Sequence, residues 1–159
     1  MAAANKIPGT RSFVKLDSMK NNLTDGLRKE NYDLIDFLPC QVSKGKGHYF
    51  EVEKYLLKHR KEIFGKYAEF FLKLYCYCDF EIDFNKKEYS NPSPKKLKKL
   101  IMDCADKQLI LQIYVGETDF LISGDELYIT VFGLNDDLRE LVEKTAGSVG
   151  LFLRNRTID

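Results

Sequence analysis

The stretch from Gln108 to Arg154 constrains the fold more than any other, because it reads as strand, turn, strand, helix, strand. Gln108 to Val115 (QLILQIYV) is almost wholly apolar, Glu126 to Phe132 (ELYITVF) is rich in β-branched and aromatic residues, and Gly150 to Arg154 (GLFLR) is a short third run. Between the last two lies one amphipathic helix, opened by Asn135 as N-cap with Asp136 and Asp137 in the first turn and stopped by Gly147. Spacings of three and four place Leu138, Leu141, Val142 and Thr145 toward a sheet, and turn Asp137, Arg139, Glu140, Glu143 and Lys144 to water. Phe120 to Ile122 fits a middle strand of a meander, between turns at Gly116–Asp119 and Ser123–Asp125.

The preceding chain supplies what covers such a sheet. Residues 1–10 read as a flexible arm, Arg11 to Leu16 as a short edge strand, and Asp17 to Lys29 as a helix weakened by Gly26. Tyr32 to Val42 mixes apolar and acidic residues up to Pro39, and Ser43 to Gly47 is a basic loop. The longest helical signal follows, with Val52, Tyr55, Leu56, His59, Ile63, Phe64, Tyr67, Phe70, Phe71 and Leu74 mostly three or four apart and Gly65 as a point of kinking or splitting. Tyr75 to Phe84 (YCYCDFEIDF) alternates as a half-buried strand with Cys76, Cys78, Phe80, Ile82 and Phe84 on one side. Asn85 to Pro92 reads as a loop, and Ser93 caps a helix that begins at Pro94 and runs to about Asp106 with a Lys-rich outer side. The fold class is therefore α+β: N-terminal helices packed on a mostly antiparallel sheet of four to five strands, with two further helices, in one domain over residues 11–159.

With 159 residues, the chain can bury roughly two thirds of its unfolded surface without staples. Its four cysteines, 40, 76, 78 and 104, need not form a disulfide framework. Met1 to Gly9 lacks the apolar run of a signal peptide, and no stretch of about 18 apolar residues crosses a membrane, so a reducing cytoplasm is the expected compartment and no membrane partner is expected. A net charge of +1 argues against binding nucleic acid by bulk charge. The charge is unevenly placed: residues 86–99 hold six Lys against one Glu, and residues 117–143 hold eight acids against Arg139.

Several constellations bear on chemistry. Period two puts Asp79, Glu81 and Asp83 on one strand face with neighbours about 7 Å apart, a spacing that suits Mg²⁺ in a nuclease and equally a solvent-facing strand protected from edge pairing. No Asp or Glu is followed two residues later by Lys, so one common nuclease half-motif is missing. Cys76, Cys78, Cys104, His48 and His59 lack zinc spacing, and Cys76-x-Cys78 on a strand suits core packing. Cys40 has His48 nearby in sequence but no orienting acid, and Gly45 and Gly47 do not complete a P-loop. Lys95, Lys96, Lys98 and Lys99 form a helix face suited to solvent, to an acidic partner or to RNA. No catalytic residue, metal ligand or cofactor site emerges.

The closing segment DELYITVFGLNDDLRELVEKTAGSVGLFLRN, Asp125 to Asn155, resembles the ends of some bacterial immunity proteins that neutralise secreted toxins. The resemblance implies a protein whose work is to bind and block one toxin. The expectation is thus a non-enzymatic binding protein whose partner is a toxin with a basic surface, steered by Glu117, Asp119, Asp136, Asp137, Glu140 and Glu143 and anchored on aromatics such as Tyr128 and Phe132. Two alternatives stand beside it: a nucleic-acid-associated protein using Lys86 to Lys99, and a metal-dependent nuclease on Asp79, Glu81 and Asp83. The sequence leaves the oligomeric state open.

Overall fold

The meander written into the C-terminal half forms the middle of a larger sheet. The computed structural model describes residues 32–156; the arm over 1–10, the strand expected at Arg11 to Leu16 and the helix expected over Asp17 to Lys29 lie outside the described residues. In chain order the elements are β1 (Tyr32–Asp36), α1 (Tyr49–Lys58), α2 (Arg60–Tyr75), β2 (Glu81–Phe84), β3 (Lys87–Ser90), α3 (Pro94–Lys107), β4 (Ile110–Val115), β5 (Thr118–Ser123), β6 (Tyr128–Phe132), α4 (Asp136–Ser148) and β7 (Phe152–Arg156). The strands form one sheet in the order β3-β2-β4-β5-β6-β1-β7, every pair antiparallel.

Register explains the core. Phe84, Leu111, Ile122, Ile129 and Ile35 stand opposite one another in a row across five strands, and Ile82, Ile113, Phe120 and Val131 form a second row on the same face. All nine are buried. Helix α2 lies on this face with Phe71 edge-on to Phe120 at 5.4 Å and to Phe80 at 6.1 Å, so quadrupole geometry adds to area burial. Helices α3 and α4 flank α2 on the same face.

The α+β class holds, but the sheet has seven strands among the described residues rather than four to five, and two of the additions have clear causes. Tyr32–Asp36 is a strand between β6 and β7, where its two acids disguise an interior position. Asn85 to Pro92, expected as a loop, forms the β2–β3 hairpin; Asn85 and Lys86 both hold positive φ (50° and 62°), the pair of left-handed residues that a two-residue hairpin turn demands, without the glycine that usually signals it. The long helical pattern splits at His59, not at Gly65, which lies inside α2. Arg60 holds the break: its Nε donates to Leu57 O (2.8 Å) and its Nη1 to Gly124 O (2.6 Å), so a side chain satisfies an end carbonyl of α1.

The strand expected from Tyr75 to Phe84 begins only at Glu81. Tyr75 still belongs to α2 and Cys76 caps it, exposed, while Cys78, Phe80, Ile82 and Phe84 are buried as the alternation predicts. Leu74 and Cys78 also fit helical spacing, and the chain needs a turn there to reverse into β2. Helix α3 matches its reading: Ser93 Oγ accepts the Lys96 N–H (3.1 Å) and Gln108 ends it in the left-handed region. Gly124 must be glycine, because a Cβ there would sit 2.4 Å from Cys104 O and 2.5 Å from Gln108 Cα. Gly147 does not stop α4, which continues through Ser148.

Candidate functional site

Asn135 Oδ1 accepts the Leu138 N–H (2.8 Å), so α4 starts where its sequence says and its acids are fixed on a rigid element. Asp136, Asp137, Glu140 and Glu143 are all exposed. Glu140 pairs with Lys144 at 2.8 Å, and the hydrogen bond from that lysine lowers its pKa. Thr118 Oγ1 donates to Gly133 O (3.0 Å), which sets exposed Glu117 beside the link leading into α4. Glu117 and the start of α4, with Asp136 and Asp137, therefore lie at the same end of the molecule.

Asp119 and Tyr128 do not join them. Both stand on the sheet face turned away from α2, α3 and α4, and Tyr128 lies at the opposite end of β6 from the Phe132 that pairs with Asp119. Arg139, expected to face water, instead reaches Asp33 with two hydrogen bonds of 3.0 Å each. Asp33 is buried on the helix face of β1, and the hydrogen bond to it raises the Arg139 pKa. Leu138 and Leu141 are half-buried, and Val142, Thr145 and Ala146 form the buried stripe.

The other constellations resolve individually. Asp79 precedes the strand, Glu81 accepts from Ser90 Oγ (2.9 Å) and Asp83 is buried, so the three carboxylates do not share one exposed face. Among the described residues no group of three His, Cys, Asp or Glu is placed to hold a metal ion, and no helix is long and apolar enough to cross a membrane. Cys104 is a core residue whose thiol donates to Leu109 O (2.9 Å), and burial pushes its pKa up to about 12; burial likewise pushes Cys78 up to about 11. Cys40 is exposed, and His48 Nδ1 lies 3.0 Å from Glu51 Oε1. Lys95 and Lys98 are exposed on α3, Lys99 is bound to Asp103 (2.7 Å), and Lys96 Nζ sits 5.2 Å from the Tyr89 ring centroid, tying α3 to the edge strand β3.

Two features lie largely outside the expected site residues. The first is α1, which carries the start of the long helical pattern, Val52, Tyr55 and Leu56. It has no buried residue, and it carries three of the largest exposed apolar side chains: Phe50 (80% exposed), Tyr55 (60%) and Val52 (45%). Family models, curated proteins and solved structures show no match to this chain.

The second feature is a cleft of about 220 Å³ next to α1, on the sheet face away from the other helices. Leu34, Asp36, Tyr128 and Arg154 form its strand side, and Leu38, Gln41, Val42 and Tyr49 its loop and helix side. Arg154 Nη2 donates to Asp36 Oδ2, both groups being largely buried, while Arg154 Nε is buried with no hydrogen-bond partner. Tyr49 Oη donates to Glu53 Oε2 (3.0 Å), and burial followed by that bond raises its pKa to about 12. The sequence did hold a signal for this site. Asp33 and Asp36 sit inside an apolar run, where a buried carboxylate requires a partner, and the alternation of β1 sends one to Arg139 and the other to Arg154 on opposite faces.

Proposed function

We propose that this protein is a non-enzymatic binding protein that engages a protein partner with a basic surface, in the manner of an immunity protein that neutralises a toxin. The observation that carries the reading is the concentration of Phe50, Val52 and Tyr55 on a helix with no buried residue, beside a cleft lined by Tyr49 and Tyr128. Exposed aromatics are costly to leave in water and serve as anchors when a partner covers them. Glu117, Asp136, Asp137 and Glu143 supply the negative field that attracts a cationic surface and speeds association without belonging to the buried contact.

The test is surface plasmon resonance against the partner recovered by crosslinking in the native host. Phe50→Ser with Tyr55→Ser is expected to weaken binding by about 100-fold through a faster off-rate, with an unchanged melting temperature. Asp137→Lys, Glu140→Lys and Glu143→Lys together are expected to slow association about tenfold at low salt and leave dissociation alone. An affinity indifferent to the α1 pair sinks the reading. The exposure of Lys86, Lys87, Lys95 and Lys98 favours a second reading, nucleic-acid binding along Lys86 to Lys99; a submicromolar Kd for RNA at physiological salt, lost in Lys95→Glu with Lys98→Glu, selects it.

A further inference from the structure

We propose that Arg60 is a positioning residue, a latch whose guanidinium holds α1 on the body of the molecule, and that α1 opens as a separate unit when the latch is lost. The latch itself is independent of the binding reading. Its consequence for a partner rests on the reading that α1 binds a protein.

The anchor on the body side is stiff. Arg60 Nη1 donates to Gly124 O (2.6 Å) in the turn between β5 and β6. Gly124 N donates in its turn to Leu109 O (3.0 Å), and the residue packs so closely on the end of α3 that a Cβ would fall 2.4 Å from Cys104 O. The Gly124 carbonyl is therefore fixed against the end of α3 and the entry to β4. On the other side of the junction, Arg60 Nε donates to Leu57 O (2.8 Å) in the last turn of α1. With its side chain only 21% exposed, Arg60 meets little competition from water for either carbonyl, and its charge strengthens both bonds.

By every other route α1 is weakly attached. Its side-chain contacts are largely internal: His48 Nδ1 meets Glu51 Oε1, Tyr49 Oη donates to Glu53 Oε2, and the Tyr55 ring lies 4.5 Å from that of His59. Among the described residues no side chain of α1 forms a hydrogen bond or ion pair with the sheet. Leu56 and Leu57 pack half-buried against the core and Tyr49 lines the cleft, whereas α2 buries a full stripe. Charge opposes docking as well: the pKa of Glu126, just before β6, is raised chiefly by burial and further by the charge of Glu53 on α1, so the two carboxylates repel. A helix of 10 residues is too short to persist alone in water, where about 12–15 are needed even in favourable sequences. Loss of the two Arg60 bonds therefore releases α1 while the sheet and α2 keep their core.

Amide hydrogen exchange on the full chain reads the latch directly. In the parent, the α1 amides from Val52 to Lys58 are expected to share one opening, reached at lower urea than the opening of α2. Arg60→Met keeps an unbranched apolar stem and removes the donors. It is expected to speed exchange at those amides about tenfold or more, with the amides of Phe70, Phe71, Leu111 and Ile113 changed less than about twofold. Arg60→Lys, which lacks the fork that bridges two carbonyls, is expected to fall between parent and Arg60→Met. Acceleration spread evenly over α1, α2 and β4 makes Arg60 a support of the whole fold and overturns the proposal, as does unchanged α1 exchange in Arg60→Met. Exchange of α1 only together with α2 in the parent overturns it as well, and that measurement stands even where Arg60→Met does not fold. Against the partner, Arg60→Met is expected to slow association about tenfold, since only the latched fraction binds. Phe50→Ser, by contrast, is expected to weaken the partner complex and leave α1 exchange unchanged. A released α1 with undiminished partner binding sinks the reading that α1 is the interface and leaves the latch in place.

Discussion

Helices α1 and α2 are neighbours in sequence with the same kind of pattern, aromatics and aliphatics three and four residues apart, yet they meet opposite environments. Helix α2 buries Ile63, Phe64, Tyr67, Ala68, Phe70, Phe71 and Leu74 against the sheet, whereas α1 has no fully buried residue and sets only Leu56 and Leu57, half-buried, against the core. Periodicity reports that a helix has an apolar side. It does not report what covers that side. The difference arises at His59, where α1 ends and α2 begins and Arg60 ties the junction to Gly124.

The largest expected effect tests that contrast directly. Phe71→Ala removes a ring packed on Phe70, Phe80 and Phe120 and is expected to cost about 3–5 kcal/mol in urea unfolding, whereas Phe50→Ala is expected to change stability by less than about 0.5 kcal/mol. A loss for Phe50→Ala near that of Phe71→Ala makes α1 part of the core and removes the observation on which the binding reading stands.

A second contrast lies within α4, between acids that serve the surface and a base that serves the fold. Arg139 makes two hydrogen bonds to Asp33, and removing it leaves a buried carboxylate without its countercharge, held by the longer hydrogen bond from Asn155 Nδ2 (3.3 Å). Arg139→Leu is therefore expected to cost about 2 kcal/mol, moderated because the arginine side chain is itself 35% exposed, while Asp137→Asn on the same helix changes stability by less than about 0.5 kcal/mol. Equal effects from the two substitutions mean that the Asp33 pair does not anchor α4 to the sheet.

Much of this fold was legible where local chemistry is strong. The caps at Ser93 and Asn135, Pro94 at the start of α3 and the strands of the meander follow from side-chain acceptors, fixed φ and apolar alternation. The hairpin at Asn85–Lys86 was not legible, since neither residue advertises a left-handed conformation as glycine does. Nor was β1, because its acids read as surface until Arg139 and Arg154, more than a hundred residues away, come within reach. The candidate site shared that difficulty. Glu117, Asp136, Asp137, Glu140 and Glu143 are exposed as expected, but Asp119 and Tyr128 are on the far face, a separation decided by sheet topology and invisible to residue counting.

The smallest expected effect compares an acid paired with an arginine, Asp36, with an acid held by a tyrosine hydroxyl, Glu126. Asp36 has Arg154, whereas Glu126 is partly buried near Glu53 and Asp125 with only the hydrogen bond from Tyr128 in its favour. Burial and like charge raise its pKa above 4.5, so the folded state holds the proton more tightly than the unfolded state. Between the ordinary value and the raised one the native form binds more protons, and stability falls as pH rises through that window. The full contribution is present below pH 4.5 and is lost above the folded value. Glu126→Gln keeps the shape, removes the ionisation and is expected to raise Tm at pH 7 by about 1 °C, with the two proteins converging as the pH is lowered toward 4.5. A variant less stable than the parent at pH 7 means that the Tyr128 hydrogen bond outweighs the repulsion from burial and like charge.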